Sequence, residues 1–170
     1  MPGNQPRIAI VPKKKDLYLM RFGWFVVALH FIMTLAFYFE LPDTIPTHYN
    51  FSGQPDGFGD KTEIWTLPIL NLVLYYGMNF LTKKIKPWHM NYPVKVTEKN
   101  APILYSMNFT MLVILAFSAS MVFFMLSLET ILIATENNSP GLGFIVPLLI
   151  IFITATPFYF IIKMLKLPKT

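Results

Sequence analysis

Four stretches of the chain carry no charged residue. They cover 22–39, 64–82, 100–128 and 140–162, and run for 18, 19, 29 and 23 residues. A helix needs roughly 20 apolar residues to cross the hydrocarbon core, with a lower limit near 17. The pattern therefore predicts four transmembrane helices, over about 17–39, 64–81, 102–128 and 141–162. The expected fold is an all-α integral membrane protein with a structured external loop between helices one and two. Its parts are a basic arm (1–16), a four-helix membrane domain (17–162) with an external cap (40–63) and a cytoplasmic loop (83–100), and a tail (163–170). The first run is longer than the ~7–15 apolar residues of a signal peptide, and no small-x-small cleavage site follows it. Helix three is long enough that it must tilt or project beyond the bilayer. Pro147 and Pro157 predict kinks in helix four. No four-fold internal repeat is visible, and the unequal loops argue against a duplicated hairpin.

Polar residues interrupt the apolar runs at helical spacing. His30 lies mid-span in helix one, on one face with Gly23, Val27 and Thr34. An ionisable residue inside a membrane is a functional candidate by default. The plainer expectation is a neutral imidazole hydrogen-bonded to a neighbouring helix. Asn71, Tyr75 and Asn79 are each four apart and form a stripe on helix two. Buried amides need partners, and His30 and Thr34 are the expected ones. Ala116, Ser120 and Ser127 give helix three a small-residue face for close helix packing.

Charge then orients the bundle. The chain is 54% hydrophobic, 14% charged and carries a net charge of +5. Thirteen of its 14 basic residues fall in the N-terminal segment, the 83–100 loop and the tail, and seven of its nine acids fall in the other two loops. The positive-inside rule places both termini in the cytoplasm and the loop between helices one and two outside. Such clustering sets topology, so no nucleic-acid partner is expected. The partner implied is the bilayer, with the interleaved lysines and aromatics of 83–100 lying on the headgroups. Lys13, Lys14 and Lys15 suit anionic lipid, in an arm whose three prolines suggest disorder. There is no cysteine, so thiolate chemistry is absent.

The remaining polar stretch, 41–61, reads LPDTIPTHYNFSGQPDGFGDK. Twenty-two residues separate Glu40 from Glu63. Loops beyond about 12–15 residues are uncommon in compact proteins and are usually functional or disordered. Pro42, Pro46 and Pro55 stiffen this one, while Gly53, Gly57 and Gly59 allow the positive φ of tight turns. Ile45, Tyr49, Phe51 and Phe58 offer apolar surface for helix ends. A rigid cap with repeated turns is expected. Asp43, His48, Asn50, Asp56 and Asp60 are possible acid/base groups or hard metal ligands. No nucleophile elbow, zinc-protease helix or phosphate loop accompanies them. Asp56 to Asp60 lacks the regular ligands and terminal Glu of a calcium loop, and one His without ligand spacing does not define a zinc site. No catalytic residue, metal or cofactor is expected. Backbone capping by the Asp and Asn side chains explains most of the stretch.

Pro46, His48, Tyr49 and Asn50, then Gly53, Asp56-Gly57-Phe58-Gly59 and Lys61, resemble the signature of a bacterial membrane domain of unknown function. That domain forms the N-terminal part of SdpI-type immunity proteins, and Leu67-Pro68 also fits it. The resemblance covers about 25–80. It implies the bacterial inner membrane and a non-enzymatic role in immunity to a membrane-active peptide, coupled to signalling. It carries over Pro46, His48, Asn50, Gly53, Asp56, Gly57 and Lys61 as recognition residues, with an external peptide or small ligand and a membrane or cytoplasmic protein as possible partners. The chain departs from those proteins in its shorter second half. The alternative is a transport-related or accessory subunit of a larger complex, with His30, Asn71 and Asn79 lining a polar path.

Overall fold

The computed structural model describes residues 5–50, 54–136 and 145–167. Four α-helices form its body: α1 (Lys14–Tyr38), α2 (Thr66–Lys84), α3 (Ala101–Glu136) and α4 (Ile145–Leu165). Each is long and apolar enough to cross a bilayer. Their surfaces agree with that length. On α1 the exposed side chains include Phe22, Phe25, Ile32 and Leu35, and the buried face holds Asp16, His30 and Thr34 with Gly23, Val26 and Val27. This inverts the pattern of a helix at the surface of a water-soluble protein. It is the arrangement of a helix whose solvent is lipid, in a multi-pass membrane protein.

α3 is the central helix and packs against each of the others. At 36 residues it is about 54 Å long, well beyond a hydrocarbon core of about 30 Å. The expected end at 128 fell short because Glu129 interrupts the apolar run. That carboxylate is buried against the structure, so the helix continues. Pro147 lies in the first turn of α4, where a missing N–H costs nothing. Pro157 alone lies inside that helix.

The all-α expectation is corrected by a small sheet. Two strands, β1 (Thr44–Tyr49) and β2 (Pro55–Asp60), pair antiparallel between α1 and α2. A two-stranded hairpin is marginal on its own. Here Leu41 and Ile45 bury against Ile64 and Ile131, backed by Phe37 and Trp65. A 3-10 turn (Lys61–Trp65) leads from β2 into α2, and Asp60 caps it by accepting from Thr62 N at 2.8 Å.

The opposite, basic end is also closed. Ala101, Leu104 and Tyr105 of α3 meet Phe160 and Met164 of α4. Ile8 and Ile10 of the arm, with Trp88 and Tyr92 of the 83–100 segment, cover that cluster. Tyr105 OH donates to Pro6 O at 2.8 Å, and Gln5 Nε2 donates to Met90 O at 3.0 Å. The described part of the arm is therefore seated on the bundle rather than disordered. Trp88 and Tyr92 are half-buried against that cluster. Burial and the nearby Tyr105 push the Tyr92 phenol up from its ordinary pKa.

Candidate functional site

The second strand of the hairpin, PDGFGD, is built from residues with poor strand propensity, and the first, TIPTHY, carries a proline among strand formers. Its register runs Thr44 to Asp60, Ile45 to Gly59, Pro46 to Phe58, His48 to Gly57 and Tyr49 to Pro55. Two irregularities leave Thr47 and Asp56 without partners in this ladder. Such bulges interrupt the ladder, re-aim side chains, and are where proline is tolerated within strands. At this one, the imidazole Nδ1 of His48 meets Asp56 Oδ1. The two side chains are 73% and 44% exposed, so water screens the pair and its worth lies in orientation more than in stability.

The other motif residues are structural neighbours of that pair. Pro46 is buried and pairs with Phe58 in the ladder. Asn50 Oδ1 accepts from Gln54 N at 3.0 Å and closes the hairpin end. Lys61 Nζ donates to Asp43 Oδ1 at 2.9 Å, and Lys61 N to Asp43 O at 3.0 Å, which ties the two ends of the hairpin together. Gly53 lies outside the described residues, as does Phe51. Backbone capping thus accounts for Asn50 and Asp60, while Asp43 and Asp56 pair with side chains. The Thr62 hydroxyl and backbone N–H draw the Asp60 carboxyl below its ordinary pKa.

Gly57 and Gly59 do not serve as turn residues. Both lie in β2, and neither has the left-handed backbone that the turn reading required. Gly57 is needed for close approach, since a Cβ there would stand 2.8 Å from His48 Cβ.

Beside this pair is a cleft of about 360 Å³ between β1, the start of α2 and α3. That volume falls within the ~300–1,000 Å³ of small-ligand sites. Pro46, His48 and Tyr49 form one wall, with Glu63, Leu67 and Thr130 opposite. Tyr49 OH and Thr130 Oγ1 share a hydrogen bond at 2.8 Å. Burial raises the Tyr49 pKa, the Thr130 bond opposes the rise, and the Glu129 carboxylate adds to it. The phenol stays neutral and available as donor or acceptor. Tyr49 entered the sequence reading as a packing residue and as the aromatic of the motif, not among the recognition residues, and Glu63 and Thr130 did not enter it as site residues. Thr130 lay beyond the expected end of helix three.

The intramembrane residues gather elsewhere, between α1, α2 and α3. His30 and Asn71 are fully buried and 3.1 Å apart, Asn71 Nδ2 to His30 Nδ1. The same amide nitrogen reaches Ser120 O at 3.4 Å. Ser120 O can only accept, which turns the amide nitrogen of Asn71 toward it and toward His30 Nδ1. The expected bond from His30 to helix two is present. Asn79 differs from expectation: its amide donates to Tyr75 O at 2.8 Å, within its own helix. Tyr75 instead crosses to α1, donating to Met20 O at 2.8 Å over Gly23. His30 Nε2, Asn71 Oδ1 and the hydroxyls of Thr34, Ser120 and Ser127 are buried without a hydrogen-bond partner among the described residues.

Among the described residues no three His, Asp or Glu side chains converge as metal ligands. The chemistry on view is hydrogen bonding and shape: an exposed imidazole–carboxylate pair beside a phenol-lined cleft, above a buried imidazole–amide pair.

No solved structure matches the chain significantly. An uncharacterized protein of Archaeoglobus fulgidus is 40% identical over 50 residues, which is 29% of this chain and 27% of that protein. The matched segment thus spans about a quarter of the curated relative's length. Residues 25–72 match the family model described as a domain of unknown function, DUF1648, so the family likeness falls on α1, the hairpin and the start of α2.

Proposed function

We propose that this is a non-enzymatic receptor of the bacterial cytoplasmic (inner) membrane, with both termini in the cytoplasm and the hairpin outside. Its role is of the SdpI-like immunity or signalling kind, and its ligand is an external peptide or small molecule taken at the hairpin cleft. One observation carries the reading. The cleft of about 360 Å³ is bounded by Pro46, His48 and Tyr49 of the motif-bearing strand and lies against α3, the helix that packs on all the others. A ligand seated there would touch the hairpin and the bundle's central helix together, which suits transmission of a binding event to the cytoplasmic side and a protein partner there.

The test is protection of a sensitive host against a panel of membrane-active peptides. Expression of the wild-type chain should raise the tolerated dose of at least one peptide severalfold. His48→Ala should remove that protection while reaching the membrane in equal amount. No protection by wild type sinks the immunity role. Equal loss of expression in His48→Ala and in a core-helix variant assigns His48 to folding instead.

A second reading, a transport-related or accessory subunit, is favoured by a different observation. Five buried polar side chains on three helices, His30 and Thr34, Asn71, and Ser120 and Ser127, hold unpartnered atoms within the bundle. If His30→Leu and Asn71→Leu leave solute and proton uptake by intact cells unchanged, this reading fails.

A further inference from the structure

A cleft of about 500 Å³ lies between α3 and α4 at the basic end of the bundle. Lys13 and Lys15, at the start of α1, and Lys163, in the last turn of α4, all line it and are all exposed. Among the described residues none of the three is ion-paired to a carboxylate. The nearby acid, Asp16, is buried and accepts from Thr110 Oγ1 at 2.9 Å. The deeper wall is apolar and descends α4 as far as Phe152. From Lys163 to Phe152 is about 16 Å of helix, about half of the ~30 Å hydrocarbon core.

An occupant that matches this cleft is anionic at one end and apolar over the depth of one leaflet. We propose that it binds one anionic phospholipid, the phosphodiester among Lys13, Lys15 and Lys163 and an acyl chain lying against α3 and α4. Lysine ammonium groups bind phosphate as point charges, and basic pockets between transmembrane helices suit anionic headgroups. A free phosphate leaves the apolar wall empty. A zwitterionic lipid fills the wall but brings its own cation to three lysines. The site is separate from the hairpin cleft, and its occupancy does not depend on the function proposed there.

The experiment uses the full chain in mild nonionic detergent. It is titrated with phosphatidylglycerol, with phosphatidylcholine of the same acyl chains, or with inorganic phosphate. Native mass spectrometry reads bound lipid, and the thermal midpoint reads protection. Phosphatidylglycerol is expected to bind at one molecule per chain, more tightly than phosphatidylcholine, with no protection by phosphate alone. At about fivefold in affinity per basic residue, K13Q/K15Q/K163Q should weaken phosphatidylglycerol by at least tenfold. Ala155, exposed on the cleft wall, tests the apolar half: Ala155→Trp fills the slot with every charge kept, and should also displace the lipid. K83Q/K86Q, in the other basic segment, should change little. Equal affinity for the two lipids overturns the proposal, as does protection by phosphate alone. So does an unaffected Ala155→Trp, or an equal loss in K83Q/K86Q. Should the triple lysine variant fail to fold, Ala155→Trp and the lipid comparison decide.

Discussion

At the residue scale, the site depends on an atom that is absent. A Cβ at Gly57 would stand 2.8 Å from the Cβ of His48 across the ladder, and neither atom is the far end of a flexible chain. A Cβ at Gly59 would instead meet Glu63 Oε1, and Thr47 Cγ2 at 3.0 Å. The Glu63 carboxylate can swing away. Gly57→Ala should therefore weaken the hairpin by about 1–3 kcal/mol, the usual range for overpacking, and Gly59→Ala by clearly less. Hydrogen exchange at the amides of Asn50 and Lys61, which bond Gln54 O and Asp43 O, checks this, with the helical circular dichroism unchanged. An equal effect of both substitutions would show that backbone preference, not contact with His48, is the constraint. That both positions mattered was legible from the motif. Why they matter was not, because a lone Gly codes equally for a turn and for close approach, and only the strand register separates the two.

At the scale of elements, legibility followed the strength of the local signal. The four helices were readable because each is a long uncharged run. The strands TIPTHY and PDGFGD were not: Pro, Gly and Asp, which strands avoid, make up most of the second, and Pro46 interrupts the Thr, Ile and Tyr of the first. They pair because tertiary burial of Ile45 against Ile64 and Ile131 outweighs that preference. The seating of the arm was hidden in the same way: Ile8 and Ile10 pack on the bundle, but three prolines in 1–16 gave that segment the composition of a loose tail. Beside the Ile45–Ile131 packing, the hairpin is tied to α3 by the Tyr49–Thr130 hydrogen bond. Tyr49→Phe and Thr130→Val should each loosen it by about 1 kcal/mol, and the pair together by less than their sum. Proteolysis of the hairpin in the detergent-solubilised protein measures the opening. Strict additivity in that cycle would mean that the two hydroxyls hold the hairpin through other contacts.

At the scale of the whole molecule, the chain folds with its apolar residues toward lipid and many of its polar ones inward. Asp16, His30, Thr34, Asn71, Ser120 and Ser127 are all buried, while Phe22, Ile32, Val73, Ile151 and Phe158 are exposed. Lipid tails are as apolar as leucine, so burying more leucine between helices adds little, and packing with interhelical hydrogen bonds holds the bundle together. His30 and Asn71 join α1 to α2 in this way, and Asn71 reaches on to α3 at Ser120 O. Removing either side chain alone strands its partner. In His30→Leu the Asn71 amide loses one acceptor and stays buried, a desolvation cost of about 1–3 kcal/mol. In Asn71→Leu the Nδ1 of His30 loses its donor, with the same consequence. With both changed to leucine no polar side chain of the pair is left unsatisfied. The double variant should therefore be no less stable than the weaker single, and more stable than the sum of the two predicts. Unfolding from mixed detergent micelles, followed by loss of helical signal, gives the three stabilities. Additive losses would show that the imidazole and amide act through separate contacts and that this bond does not couple α1 to α2. A non-additive result combined with intact peptide protection would separate the pair's structural role from the function proposed for the hairpin, since a bundle can keep its shape on leucine.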